Sequence, residues 1–241
     1  NDSSMSLSTS SQTQTAIFTA VVSDNVGINS ISVSGATQVN VSGSTYTFHK
    51  TYNYDDYSFG SSTDVVTLTV SDAAGNSSTD SETITIVKAD DEDPVINSFT
   101  TSDSSFQLST SSPNKTITYS VNATDNRGIS SVNVSGATFI GTSGSARTFS
   151  RTYNYTDYSF GSNTQTVTVT VTDVGGNTAT DTITHTITKV DDQNPTVGAI
   201  STNASGNAIT LTTSSTSVTV RYTVVATDND ITFGTNAYTS G

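Results

Sequence analysis

An all-β chain of tandem two-sheet sandwiches in an extended array is the fold class this sequence predicts, on three observations. The passage Tyr52-Asn-Tyr-Asp-Asp-Tyr-Ser-Phe-Gly-Ser61 returns nearly unchanged as Tyr153-Asn-Tyr-Thr-Asp-Tyr-Ser-Phe-Gly-Ser162, displaced by 101 residues. Apolar and polar residues alternate with a period of two in segment after segment. No stripe at the 3.6-residue spacing of a helix occurs anywhere.

The same displacement carries Asp24-Asn25 to Asp125-Asn126, Asp72 to Asp173, Gly75-Asn76 to Gly176-Asn177 and Asp90-Asp91 to Asp191-Asp192 without a gap. A unit of this length can close its own core, so the expected domains are 1–89, lacking its first strand, then 90–190, and a partial third at 191–241. The third copy opens at Pro195, the partner of Pro94, and reaches Asp228-Asn229 after a two-residue insertion. Both ends fall inside a unit, so a window on a longer protein is expected. Repetition of this kind points to reach or valency rather than catalysis.

Within the second unit the first strand is expected over 95–108. In the next, Ile117, Tyr119, Val121 and Ala123 share one parity, and Thr116, Thr118, Ser120 and Asn122 the other, which reads as a half-buried antiparallel strand. Strands follow at 129–134, 137–140 and 146–155. Val167, Val169 and Val171 then alternate with threonines that favour extended backbone, as Val66, Leu68 and Val70 do in the first unit. The last strand spans 178–190. Gly, Asn, Asp and Ser clusters such as Gly141-Thr-Ser-Gly-Ser145 separate them. Seven short strands in about 100 residues make a two-sheet sandwich.

Ser and Thr fill more than a third of the chain, 32% is apolar and the net charge is −13, a composition that would suit disorder if the alternation did not argue against it. There is no cysteine, so disulfides and thiol chemistry are excluded. With only eight Lys and Arg, no cationic face exists for nucleic acid or an anionic membrane, and no apolar run is long enough to insert into a bilayer. Small cations are the natural partners.

If the first strand runs down from one pole and each later strand reverses, the turns Asp125-Asn126-Arg127-Gly128 and Asp173-Val-Gly-Gly-Asn177 return to that pole. The linker Asp90-Asp91-Glu92-Asp93-Pro94 enters there. Three acidic segments, distant in sequence, are therefore expected to converge. Asp56, in the opposite turn of the first unit, should face the same junction, and Asp157 is its copy. Like charges ~4–5 Å apart repel by roughly 3–4 kcal/mol at an effective dielectric of about 20, so the cluster calls for a counter-charge. Oxygen-only ligands on flexible loops suit Ca²⁺ rather than zinc or copper. The competing reading is that Asp, Asn and Gly simply build turns.

The run Asp-x-x-Pro-Val, Ala-Thr-Asp-Asn-x-Gly-Ile, Val-x-Val-Ser-Gly and Thr-Val-Thr-Asp-x-x-Gly-Asn resembles bacterial immunoglobulin-like and cadherin-like tandem repeats of giant extracellular adhesins. The resemblance covers essentially the whole chain. It implies immunoglobulin-like sandwiches in the extender region of a surface adhesin or fibre, extracellular or at the cell surface, stiffened by Ca²⁺ at the junctions between neighbouring repeats. By this similarity Asp24, Asn25, Asp72, Asn76, Asp125, Asn126, Asp173 and Asn177 take loop-ligand positions, and Asp90, Asp91, Asp93, Asp191 and Asp192 linker positions. Asp228 opens the corresponding loop of the third unit, which departs from the pattern because Asp228-Asn229-Asp230-Ile231 lacks the glycine found at Gly128.

Two rival functions remain open. One is a self-assembling filament or surface-layer subunit whose incomplete first sandwich takes a strand from another copy. The other is an accessory glycan-binding module, with Tyr52, Tyr54, Tyr57 and Phe59 as a stacking platform, although core and corner packing accounts for their recurrence. A cell-surface or glycan target would lie outside this window. No enzyme is expected: His49 and His185 align with Ser150 and Ile84, so the repeat does without them, and no catalytic elbow or zinc spacing lies nearby. Sequons at Asn76, Asn122 and Asn154 follow from the abundance of Ser and Thr. An isopeptide from Lys88 or Lys189 to an asparagine would show as an ammonia-sized deficit in mass.

Overall fold

The computed structural model describes residues 3–202, 211–214, 217 and 219–228. The first repeat contains β1 (Ser4–Leu7), β2 (Thr13–Val21), β3 (Ile28–Val33), β4 (Thr37–Ser42), β5 (Thr45–Asn53), a single 3-10 turn at Tyr54–Asp56, β6 (Gly60–Asp72) and β7 (Ser77–Lys88). The second contains β8 (Val95–Thr101), β9 (Ser105–Leu108), β10 (Asn114–Thr124), β11 (Ile129–Val134), β12 (Thr138–Ser143), β13 (Ala146–Asn154), a 3-10 turn at Tyr155–Asp157, β14 (Gly161–Asp173) and β15 (Thr178–Lys189). Beyond these lie four two-residue strands, β16 (Thr196–Val197), β17 (Ser201–Thr202), β18 (Tyr222–Thr223) and β19 (Ala226–Thr227).

In the second repeat one sheet runs β12-β13-β10-β8 and the other β11-β14-β15-β9. That order is the immunoglobulin-like sandwich, with β9 added parallel to β15. The first repeat repeats it as β1-β7-β6-β3, with β1 parallel to β7, and among the described residues its other sheet has three strands, β2-β5-β4. The expected single strand over 95–108 is thus two strands in two sheets. The chain crosses over at Ser102, whose N–H still reaches the Thr118 carbonyl at 2.9 Å, before β9 turns to β15.

The period-two alternation becomes burial. Ile117, Tyr119 and Val121 of β10 and Val167, Val169 and Val171 of β14 are at most 1% exposed. In the first repeat Leu7, Phe18, Val33, Phe48, Tyr52, Val66, Ile84 and Ile86, drawn from both sheets, form one core. The recurrent aromatic passage packs a corner. Tyr54 meets Phe59 edge-on at 6.2 Å, Lys88 lies over Tyr54 at 3.6 Å, and its ammonium donates to the Tyr57 carbonyl at 3.0 Å. Tyr155, Phe160 and Lys189 copy this, with the Lys189 ammonium donating to the Tyr158 carbonyl at 2.9 Å.

By compactness the chain divides into two units. One holds the strands of the first repeat together with Ala123–Val132 and Thr170–Thr180, and the other includes Ser98–Asn122 and Asn133–Val169.

Candidate metal centre

Three loops of the first compact unit build the site. Asp125 directly follows β10, and its Oδ1 accepts the N–H groups of Arg127 at 2.8 Å and Gly128 at 3.0 Å. This tight turn needs a positive φ, 101° at Gly128, which an L side chain resists. With Oδ1 occupied by the turn, Asp125 Oδ2 is buried with no hydrogen-bond partner.

Asp173 ends β14 and is 1% exposed. Its Oδ1 accepts the N–H groups of Gly176 at 2.5 Å and Asn177 at 2.8 Å, and its Oδ2 accepts Asn177 Nδ2 at 2.9 Å. Burial pushes its pKa up, but the Asn177 side chain and the N–H groups of Asn177, Gly176 and Gly175 outweigh that and hold it below the usual carboxylate value. The N–H of Val174 donates to the Gly128 carbonyl at 2.9 Å and fastens the two loops together.

Asp90 arrives on the linker. Its backbone carbonyl accepts Asn177 Nδ2 at 3.3 Å, its Oδ1 takes the Glu92 N–H at 3.4 Å, and its Oδ2 is the second buried oxygen with no partner. A Cβ at Gly175 would stand 2.7 Å from that Oδ2 and 2.8 Å from the Asp90 Cβ, so the loop accommodates the linker only as glycine.

The result is a cluster of Asp90, Asp125 and Asp173 whose ligand oxygens lie within 4.8 Å of one another. Two of them have neither solvent nor a donor, a condition that costs free energy unless a cation is supplied. The nearby Arg127 guanidinium sits over the Phe59 ring at 5.0 Å. The donor set is oxygen throughout, offered by carboxylates on loops, and that fits a hard divalent ion of the calcium class.

The other candidate residues are placed as follows. In the first repeat Asp24 Oδ1 accepts the N–H groups of Val26 at 2.8 Å and Gly27 at 2.9 Å, and Asp72 accepts those of Ala74 and Asn76 together with Asn76 Nδ2 at 2.6 Å. The Gly27 and Val26 N–H groups hold the Asp24 pKa down, with the Asp72 charge opposing, and the Asn76 side chain does the same for Asp72. Among the described residues no linker carboxylate joins this pair. Asn25 and Asn126 are exposed second residues of their turns, and Asp93 is exposed beside the buried Pro94.

Asp91 and Asp192 have other partners. Asp91 accepts the N–H of Thr9 at 3.0 Å and of Ser10 at 3.3 Å, and both their hydroxyls. Asp192 takes the N–H of Thr110 at 3.1 Å and of Ser111 at 3.0 Å, and the Thr110 hydroxyl. Those serine and threonine donors, the Ser10 and Ser111 hydroxyls foremost, hold both carboxyls far below the usual range. Each aspartate clasps the end of a repeat's last strand to the loop after β1 or β9. The recurring Thr-Ser pairs at 9–10 and 110–111 were the sequence signal for this clasp. Asp191 Oδ1 accepts the Gln193 N–H at 3.0 Å, as Asp90 accepts Glu92. Asp56 and Asp157 are exposed and accept Asn53 Nδ2 at 3.0 Å and Asn154 Nδ2 at 3.1 Å. Asp228 is half-buried after β19, and the rest of its loop lies outside the described residues.

His49 is half-buried on β5. His185 on β15 is enclosed in the second core, where its Nε2 meets the Tyr119 hydroxyl at 2.8 Å.

No protein-family model matches the chain, and no curated protein sequence matches it. Among solved structures it is similar to the sialic acid binding region of a Streptococcus sanguinis adhesin, at 11% identity and a TM-score of 0.27, over 78% of this chain and 76% of that one. It is also similar to the D00-D0 domain of intimin, at 17% identity and a TM-score of 0.24, over 71% and 92% of the two chains. The protocadherin gammaB4 extracellular domain matches at 16% identity and a TM-score of 0.34, over 98% of this chain and 47% of that one. Scores this low carry no argument about function, and the architecture rests on the strand order.

Proposed function

We propose that this chain is a structural spacer of an extracellular adhesin or fibre, and that Ca²⁺ held by Asp90, Asp125 and Asp173 locks the Asp90 linker onto the repeat that follows it. The observation that carries the calcium reading is the pair of buried, partnerless oxygens, Asp90 Oδ2 and Asp125 Oδ2, facing the buried Asp173. Turn formation alone accounts for Oδ1 of Asp125 and for the bonds to Asp173, but it leaves those two oxygens with nothing to do. Bound there, the ion supplies the positive charge the cluster lacks. Asp125 and Asp173 present the ends of β10 and β14, and Asp90 brings in the linker, so occupancy couples linker order to the fold of the sandwich. Repetition supplies the length, and the acidic surface keeps it apart from nucleic acid.

Calorimetry with and without EGTA tests the site. At free Ca²⁺ about 100 times the dissociation constant, stabilisation of roughly 2.7 kcal/mol is expected, and an unchanged melt in EGTA would reduce the three carboxylates to turn formers. Small-angle scattering tests the spacer. A rod that becomes flexible on chelation supports it, and a profile indifferent to Ca²⁺ removes the mechanical role.

A further inference from the structure

Arg127 belongs to the loop that carries Asp125, yet its charge goes elsewhere. Its N–H donates to Asp125 Oδ1 at 2.8 Å, while its guanidinium lies over the Phe59 ring of the first repeat at 5.0 Å. Among the described residues the ion pairs are Lys50 with Asp64 and Lys115 with Asp103, and neither includes it. In a chain of net charge −13 this cation has passed over the carboxylates for the negative face of an aromatic ring.

Neither half of the contact needs the other for its own fold. The first repeat makes the same turn with Val26, where Asp24 Oδ1 accepts the N–H groups of Val26 at 2.8 Å and Gly27 at 2.9 Å, so the turn does not require the arginine side chain. The second repeat makes the same aromatic corner. There Phe160 meets Tyr155 edge-on at 6.1 Å and Lys189 lies over Phe160 at 4.7 Å, as Lys88 lies over Phe59 at 5.1 Å. Each corner thus has its own lysine, and Arg127 is an addition to the first. The contact is surplus to both local folds, and what it adds is a bond between them.

Its position gives that bond a use. Phe59 lies between the 3-10 turn at Tyr54–Asp56 and β6, Arg127 lies between β10 and β11, and both are half-buried within the first compact unit. The linker 89–94 runs between the two repeats they belong to. We infer that Arg127 on Phe59 is an ion-independent latch, a positioning contact that holds the Asp125–Gly128 loop against the aromatic corner of the first repeat. It does not rest on the calcium reading. The latch uses a guanidinium and a ring, whereas an ion would use carboxylate oxygens, and Asp90 Oδ2 and Asp125 Oδ2 have no bond to the arginine. The joint therefore keeps a preferred arrangement when no ion is bound. The sequence makes the latch particular to this joint, because the first and third repeats have Val26 and Asp230 at the corresponding position, and neither brings a cation to a ring.

The chain has no cysteine, so spin labels at Thr79→Cys and Thr138→Cys, exposed positions one in each repeat, report the spread of distances across the joint. In EGTA one narrow distance should dominate. Arg127→Val, which copies the first repeat's own turn, should lower the ratio of latched to open joints about two- to fivefold, the range for a cation–π contact at a partly exposed site. Arg127→Lys should keep part of the effect, since an ammonium still meets the ring. Phe59→Leu should match Arg127→Val, and the double variant should be no worse than either alone. Adding Ca²⁺ separates the two readings: a chain that ignores Ca²⁺ yet broadens on Arg127→Val in EGTA loses the calcium reading and keeps the latch. A spread in EGTA that Arg127→Val leaves unchanged overturns the latch, as does full additivity of Arg127→Val and Phe59→Leu.

Discussion

In the first repeat the Tyr52 hydroxyl donates to Asp64 at 2.8 Å, and Lys50 closes on the same carboxylate at 2.6 Å, so the polar end of a buried tyrosine is settled at the rim. In the second repeat Asp64 is replaced by Gln165 and the same tyrosine, Tyr153, turns inward. Its hydroxyl meets that of Tyr119 at 2.6 Å, and Tyr119 meets His185 Nε2 at 2.8 Å, in a fully buried chain of three. Tyr119 and His185 stand where the first repeat has Phe18 and Ile84. Losing one carboxylate outside is matched by gaining two polar groups inside. The repeats teach that one backbone accepts either arrangement when the tyrosine hydroxyls are paired, although the second leaves His185 Nδ1 buried without a hydrogen-bond partner.

The largest effect should come from giving the first repeat half of the second's arrangement. Ile84→His places an imidazole opposite Phe18, which has no hydroxyl, and about 2–4 kcal/mol should be lost in denaturant unfolding of that repeat, from desolvation without a hydrogen bond. Next comes the contrast between the two poles. Asp125→Asn should abolish the Ca²⁺-dependent stabilisation, roughly 2.7 kcal/mol at saturation, whereas Asp24→Asn, which meets no linker carboxylate among the described residues, should leave the calcium response of this chain within about 0.5 kcal/mol of wild type. Tyr119→Phe should cost the second repeat about 1–2 kcal/mol by stranding the Tyr153 hydroxyl and His185 Nε2, and adding His185→Ile should recover part of that loss.

The smallest effect separates the repeats by pH. Burial, with the Arg151 charge acting in the same direction and the Asp103 backbone opposing, pushes the His185 pKa below its ordinary 6.5. Its contribution is complete above 6.5 and is lost as pH falls through the depressed folded value, because the unfolded chain takes up a proton that the core resists. In the first repeat burial raises the Asp64 pKa, but Lys50 and Tyr52 outweigh it and hold the group below 3.8, so that contribution survives until pH falls below 3.8. Unfolding midpoints followed from neutral to acid pH should therefore decline first in the second repeat, and His185→Ile should remove that early decline.

The acidic pole was legible because three chain segments and one strand-reversal rule suffice to bring Asp90, Asp125 and Asp173 together. The division of labour among its neighbours was not. Asp90 and Asp91 are adjacent and identical in type, yet one turns a bare oxygen inward and the other is satisfied by Thr9 and Ser10. Nothing in residue type separates them, since alternate residues of an extended linker point opposite ways and only the packed loops decide which way is inward. The split of the first strand at Ser102 was hidden for a similar reason. Alternation shows that a residue is half-buried but not which of two sheets it has joined.

The sequence by itself determined the repeat, the strands, their buried parity and the chemical class of the pole, because each is written in local spacing that recurs at 101 residues. Tertiary structure alone decided which carboxylate oxygens lack partners and that Gly175 must be bare for the linker to pass. Those properties depend on distances between segments some 35 to 90 residues apart along the chain, set only when the sheets close over one another and fix which atoms solvent can still reach.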